Sequence, residues 1–244
     1  GAHTTSYYAA SANPVPDRPA LTGDHEIDVC VVGAGYSGLS TALHLIEKGY
    51  KVAILEGARV GWGASGRNGG QIVNGLNASL QTIGKRYGSD TARFVAGLVQ
   101  EGGQIIRERI KTYDIQCDLK EGNVFAALTP KHMQELEERR ALWAGYGIHN
   151  QDMLSTDEMH AHVKSDLYVG GMIDHSGGHM HPLNLALGEA AAFESLGGVI
   201  YDLQNLGALR QCLSGPCGPG TDRAGDAGVD ASDGDETAGR GLGG

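Results

Sequence analysis

Thirty residues near the start constrain this chain more than anything else in it. Residues 27–32 (IDVCVV) form a short β-branched run, GAGYSG makes a turn, LSTALHLIEKG is a helical stretch with Leu39, Leu43 and Ile46 on one face, and KVAILE is a second strand. A strand, a glycine turn, a helix and a returning strand in so few residues predict a parallel α/β unit. The turn carries Gly33, Gly35 and Gly38 in G-x-G-x-x-G spacing, and Glu56 closes the second strand near the spacing a dinucleotide fold needs. Gly33 permits the tight turn, Gly35 lets a diphosphate approach the backbone, and Gly38 lets the helix pack closely. The helix N-terminus offers free N–H groups and about half a positive charge to the phosphates. Glu56 would accept hydrogen bonds from ribose hydroxyls, and its charge disfavours a 2′-phosphate, so NADP fits least well.

Charge makes such a local anion site necessary. Lys+Arg 19 against Asp+Glu 29 leave a net charge of −10, which repels phosphate backbones and anionic lipid and argues against a nucleic-acid or membrane-surface binder. Glycine, 39 of 244 residues, is far above the usual ~7% and needs a reason. Part of it lies in a second loop, GARVGWGASGRNGGQIVNG (57–75), too long for an ordinary connector. Its Ser65, Arg67, Asn68, Gly69 and Gly70 offer small side chains, exposed amides and a cation, which suit a ligand extending beyond the first turn. That favours FAD over NAD, which shares the ADP half.

Elsewhere the pattern is coarser. Residues 1–25, with Pro14, Pro16 and Pro19, read as an extended arm that would need a docking surface to be ordered. Residues 90–110 are one or two helices, depending on whether Gly102-Gly103 breaks them. A strand is expected at 122–128, then an amphipathic helix ended by glycine, a capping box at Ser155-x-x-Glu158, a strand at 167–174, a helix from Pro182, and a strand at 199–206. Beyond 213 the chain is acidic and glycine-rich, with only Val229 and Leu242 as larger aliphatics. It is expected to stay disordered, because it cannot bury enough apolar area to offset about 1–2 kcal/mol of chain entropy per residue. Cys30, Cys117, Cys212 and Cys217 form no zinc or disulfide pattern, and the sequence has no secretory leader pattern and no long apolar span, which fits a cytoplasmic setting.

Together the GAGYSG turn, the VGWGASGRNGGQIVNG loop, the EGGQIIRERI helix and DHSGGHMHPLNLALGEA resemble the flavin-dependent amine and amino-acid oxidase superfamily of D-amino-acid, glycine and sarcosine oxidases, and within it the gamma-glutamylputrescine oxidases most closely. The resemblance runs from about residue 5 to about residue 206. It implies an α/β fold in which a Rossmann-like FAD-binding domain is joined by part of a second, α+β substrate domain. It also implies FAD as cofactor, a small amine substrate oxidised to an aldehyde by way of an imine, and O2 reduced to H2O2. Gly33, Gly35, Gly38 and Glu56 match the ADP-binding positions. Ser65, Arg67, Asn68, Gly69 and Gly70 match the second flavin loop, and Leu206 falls where main-chain groups hold adenine.

Full-length members continue for roughly as long again after the matched region, so the expectation is an incomplete substrate pocket and weak or no turnover. The division expected is an arm at 1–25, a partial oxidoreductase domain at 26–213, and a tail at 214–244 whose composition suits a GC-rich message read in another frame. A sheet surface left uncovered would favour self-association. An NAD-dependent dehydrogenase and a non-catalytic nucleotide-binding module are the alternatives. Asp174, His175, His179 and His181 lie close in sequence but fit no standard metal motif; His179 or His181 is a candidate to line the pocket, though the favoured reading is structural or surface histidines. No catalytic residue is assigned, and Trp62 and Trp143 receive no role.

Overall fold

The computed structural model describes residues 3–202; Leu206, Cys212, Cys217 and the acidic tail lie outside the described residues. Two sheets organise it. The first is parallel, with β1 (Val29–Val32), β2 (Val52–Glu56) and β7 (Val199–Asp202) in the order β1-β2-β7. The register pairs Val32 with Leu55 and Glu56 with Asp202, so the glycine turn, Glu56 and the end of β7 meet at the carboxyl edge of the sheet. That edge is where open α/β sheets take their ligands.

One face of this sheet is covered by α2 (Tyr36–Glu47) and α7 (Pro182–Ser195), whose Leu39, Leu43, Leu183 and Phe193 make the main core with Ile54 and Ile200. The central strand β2 is buried along nearly its whole length, as a two-sided parallel strand should be. On the other face Leu21 of the N-terminal arm packs on Ala53, Leu55 and Tyr201, while Val32 of the edge strand β1 stays 62% exposed.

The second sheet is antiparallel and centred on β6 (Gly170–His179). Along one side runs β4 (Lys120–Ala127); along the other, β3 (Gln71–Ile72) and β5 (Gln151–Leu154) each pair with part of β6. Helices α3 (Leu80–Tyr87), α4 (Ser89–Thr112), α5 (Pro130–Gly145) and α6 (Thr156–His162) surround it. Leu80, Ala96 and Trp143 hold α3, α4 and α5 together. The capping box at Ser155 and Glu158 forms as expected, with each side chain bonded to the other residue's backbone.

One open alternative is resolved, and two elements depart from the sequence expectations. Of the one or two helices expected over 90–110 there is one, α4, which runs for 24 residues through Gly102 and the buried Gly103. The strand expected at 167–174 starts later and runs on to His179, carried by its pairing with β3 and β4. The arm contains a short helix, α1 (Tyr7–Ala10), capped by Ser6.

The arm's docking surface is α7. Ser11 Oγ lies 3.0 Å from His181 Nε2, Asn13 N–H donates to Asn184 at 2.8 Å, and Arg18 grips Glu194 at 2.8 and 3.0 Å.

Candidate cofactor site

The first glycine motif is folded as its spacing requires. Gly33 N–H extends the ladder to Leu55 O at 2.8 Å, and its φ of +97° then turns the chain away from the strand, a conformation glycine adopts without a side-chain clash. A Cβ on Gly38 would sit 1.9 Å from Gly33 O, so the first turn of α2 presses directly onto the loop. Glu56 ends β2 facing this turn. One carboxylate oxygen accepts Ala34 N–H at 2.6 Å and the other accepts Ala58 N–H at 2.8 Å.

The second loop is packed against the first. Gly61 N–H donates to Ala34 O at 2.9 Å, and Ser65 Oγ accepts Tyr36 N–H, one of the free amides of α2, at 3.0 Å. Asn68 holds the loop's shape by donating to Ala64 O and Ser65 O while accepting Gly70 N–H at 2.8 Å. Gly70 has φ +69°, and a Cβ there would meet Met180 O at 2.1 Å. The loop is thus clamped between the mouth of α2 and the start of α7, which is why so many glycines are spent on it.

Beside these two loops opens a cleft of 780 Å³. Tyr36, Ser37 and Ser40 of α2 form one wall, Ala64, Ser65, Asn68 and Gly69 a second, and Ile72, Ile105, Ile106, Met180 and Leu185 give it an apolar interior. Arg109 and Glu189 also line it, with side chains 6% and 4% exposed. Arg109 donates to Glu189 at 3.0 Å, to Ser40 O at 3.2 Å and to His44 Nδ1 at 2.7 Å. His44 Nδ1 also lies 2.8 Å from Ser40 O, a carbonyl that can only accept, so its two neighbours call for opposite tautomers of the ring. Burial raises the Glu189 carboxyl above its ordinary range, with Arg109 pulling partly the other way; burial also pushes the Tyr36 hydroxyl up to about 12. The Tyr36 hydroxyl donates to Pro182 O at 2.8 Å, tying the dinucleotide helix to α7.

Of the residues expected from sequence, Ser65, Asn68 and Gly69 therefore line the cleft. Gly33, Gly35, Gly38 and Glu56 build the adjoining turn, Gly70 anchors the loop from behind, Arg67 is exposed, and Leu206 lies outside the described residues. Neither His179 nor His181 is among the residues lining the cleft; they take the surface and structural places that the sequence reading favoured. His179 is exposed on β6, whereas buried His181 caps α7 by accepting Asn184 N–H, and Met180 between them faces the cleft. Asp174 is buried beside Asn74 and Ser176, and exposed His175 pairs with Asp152, so strand alternation separates the four residues. Tyr36, Ser37, Ser40, Arg109 and Glu189 were not singled out from sequence. A lone acid inside the apolar run LALGEAAAF was the signal available for Glu189.

The glycine cradle, the open α2 amides and the acidic strand end all fit a dinucleotide, and comparison with known proteins says which kind. Residues 28–230 match the family model described as FAD dependent oxidoreductase. The chain belongs to that family. FAD is accordingly its cofactor, and the nicotinamide alternative falls away. Gamma-glutamylputrescine oxidoreductase of Escherichia coli is 51% identical over 201 residues, covering 82% of this chain and 47% of that protein. The L-amino acid deaminase of Proteus myxofaciens shares the fold with a TM-score of 0.65 at 20% identity, over 79% of this chain and 41% of its own. Glycine oxidase of Geobacillus kaustophilus does so with a TM-score of 0.56 at 24% identity, over 74% and 47%. The chain spans about half the length of these relatives. Among the described residues, no helix is long and apolar enough to cross a membrane.

Proposed function

We propose that this chain supplies the FAD-holding part of an amine oxidase acting on gamma-glutamylputrescine or a related primary amine, with the amine carbon oxidised toward the aldehyde and O2 reduced to H2O2. The observation that carries the reading is the junction of the 33–38 turn with Glu56. Backbone amides at the mouth of a helix face an acidic strand end, the pairing that a diphosphate and a ribose together require. Gly33, Gly35 and Gly38 would seat the diphosphate. Each Glu56 oxygen uses one acceptor site on a backbone N–H and keeps another for a ribose hydroxyl. Ser65, Arg67, Asn68, Gly69 and Gly70 would border the flavin-side approach, with Leu206 near adenine.

FAD, when bound, accepts the hydride in this chemistry. The chain's own contribution is orientation and exclusion of water. The apolar side chains of Ile72, Ile105, Ile106 and Met180 disfavour an ammonium ion and so favour the neutral amine that can be oxidised. The substrate class rests on the 51% identity to the Escherichia coli enzyme. The unit we assign to this role is residues 26–213, with 1–25 as an arm and 214–244 as a tail, and the exposed edge at β1 is the surface we assign to self-association.

The experiment is purification of the 244-residue chain, an absorption spectrum with added FAD, and a peroxide assay with gamma-glutamylputrescine. The reading predicts retained flavin bands, and the peroxide assay reports any turnover that this chain supports. A colourless protein that does not retain added FAD would overturn it.

A further inference from the structure

Glu189 of α7 is the acid that lines the cleft, set among the apolar side chains of Ile106, Met180 and Leu185. Its side chain is 4% exposed. Oε1 accepts one bond from Arg109 at 3.0 Å, and Oε2 has no hydrogen-bond partner among the described residues. Nor is Oε2 one of the sealed polar atoms, so it keeps contact with solvent in the cleft. The guanidinium is shared. Its other terminal nitrogen lies 3.2 Å from Ser40 O and 2.7 Å from His44 Nδ1 on α2. One bond therefore joins the pair, where the fork that best stabilises a buried carboxylate uses two.

The charged and ionisable groups around Glu189 come from three directions. Arg109 faces it from α4, His44 and Tyr36 from α2, and Cys117 from the segment after α4. Burial is the largest influence on Glu189 and raises its carboxyl; Arg109 and His44 act against burial without overcoming it. The Tyr36 hydroxyl is pushed up to about 12 and the Cys117 thiol to about 11, so neither exchanges a proton near neutral pH. A ligand that fills the cleft displaces the solvent at Oε2. The carboxylate would then hold an oxygen buried against an apolar wall with no donor, and a proton removes that penalty.

We infer that Glu189 meets the ligand of the cleft as a neutral carboxylic acid, taking up a proton on binding and donating its O–H to an acceptor on the ligand. The proton comes from solvent, and no covalent bond to the ligand forms or breaks. Arg109 keeps Ser40 O as an acceptor when Glu189 loses its charge. The ligand class that fits is an apolar body carrying a carbonyl or ring-nitrogen acceptor, to which an isoalloxazine ring belongs. The inference rests on the proposed function for this choice of ligand and deepens it.

The test is calorimetric titration of the full chain with FAD and, separately, with riboflavin, which carries the ring without phosphates. Each titration is run at about pH 7 in phosphate and in Tris, because proton uptake makes the measured enthalpy depend on the ionisation enthalpy of the buffer. The expected uptake approaches about one proton per ligand. Affinity should then fall by up to about tenfold for each unit of rising pH, since the bound state holds the additional proton. Glu189→Gln supplies a permanent N–H donor and should bind without proton uptake and without that pH dependence. Glu189→Leu has no donor and should bind about tenfold more weakly. A purely structural role for Glu189 would alter affinity in both variants but give no buffer-dependent enthalpy in wild type. The wild-type comparison needs no variant, so it decides even where a substitution unfolds the chain. Equal enthalpies in the two buffers, uptake that persists in Glu189→Gln, or binding of neither probe would overturn the inference. FAD retained without proton uptake leaves the proposed function standing; riboflavin bound with uptake while FAD is not retained does the reverse.

Discussion

Glu56 and Ala34 are joined across the first turn by a 2.6 Å hydrogen bond from backbone to carboxylate, so the acid expected to read ribose also holds the glycine turn in shape. Truncating it then has two effects. Glu56→Ala removes a charge-assisted acceptor for ribose, which should weaken FAD binding about ten- to a hundredfold. It also strands the Ala34 and Ala58 amides, costing roughly 1–3 kcal/mol of stability. Glu56→Gln keeps one amide acceptor and should recover much of the stability but little of the affinity. Equilibrium dialysis against FAD and urea unfolding of both variants separate the two roles; unchanged FAD affinity in Glu56→Ala would remove the ribose assignment.

Gly38→Ala tests the close approach of α2 to the turn. With its Cβ 1.9 Å from Gly33 O, the methyl group can be accommodated only by pushing the helix away from the strand. The expected outcome is loss of FAD retention together with a destabilisation of at least 1–3 kcal/mol, the range for overpacking a tight contact. Gly57→Ala, where nothing lies within 4 Å, is the control and should behave like wild type in the same thermal melts and flavin spectra.

How much of this was legible in the sequence depends on the range of the interaction. The turn at 33–38 and the loop at 61–70 were readable because a positive φ or a close backbone approach leaves glycine as its local mark. The Arg109–Glu189 pair spans 80 residues and joins two helices whose mutual packing no local pattern encodes. β5 is four residues, QDML, too short to show a period, and exists because β6 offers it an edge. Gly102-Gly103 was ambiguous for the same reason: two of the residues against which Gly103 is buried, Ile72 and Asn74, are about thirty positions away. The exposure of Arg67 was equally hidden, since side-chain direction in an irregular loop has no periodicity to follow.

Glu189 should give stability a characteristic pH dependence. Burial raises its folded-state pKa above the ordinary 4.5, so the folded chain holds that proton more tightly than the unfolded chain does. Stability contributed through this group is full below about 4.5 and declines as pH rises toward the folded-state value. Glu189→Gln has no such group. The stability of wild type minus that of Glu189→Gln, from urea unfolding at several pH values, should therefore fall as pH increases from 4.5. A difference that stays flat or rises would show that Arg109 dominates over burial.

Cys117 should be chemically silent in the folded chain. It is 1% exposed, and burial, followed by the nearby Asp118 charge, pushes its thiol up to about 11. At pH 8 that leaves about one thiolate in a thousand, and the thiolate is the species that reacts. Iodoacetamide should therefore modify exposed Cys30 well before Cys117, followed peptide by peptide in a mass spectrometer, and urea should abolish the difference. Rapid labelling of Cys117 without denaturant would mean that the cluster it shares with Ile72, Ile115, Met180 and Leu185 opens readily.

Arg18→Ala probes whether the N-terminal arm is part of the folded unit. The Arg18 side chain is 8% exposed and makes two bonds to Glu194 on α7, so its removal leaves a half-buried carboxylate without its partner. A paired, charge-assisted contact of this kind is worth about 1.5–3 kcal/mol when largely shielded, and the partial exposure of Glu194 argues for the lower end. Downstream, Pro19 O accepts Asp202 N–H at 3.1 Å and Leu21 covers Leu55 and Tyr201, so a loosened arm also uncovers the edge of β7 beside Glu56. The variant should therefore show a lower melting temperature, faster proteolysis within residues 11–25, and weaker FAD retention. Faster proteolysis with unchanged melting and retention would make the arm a docked appendage with no bearing on the cofactor edge.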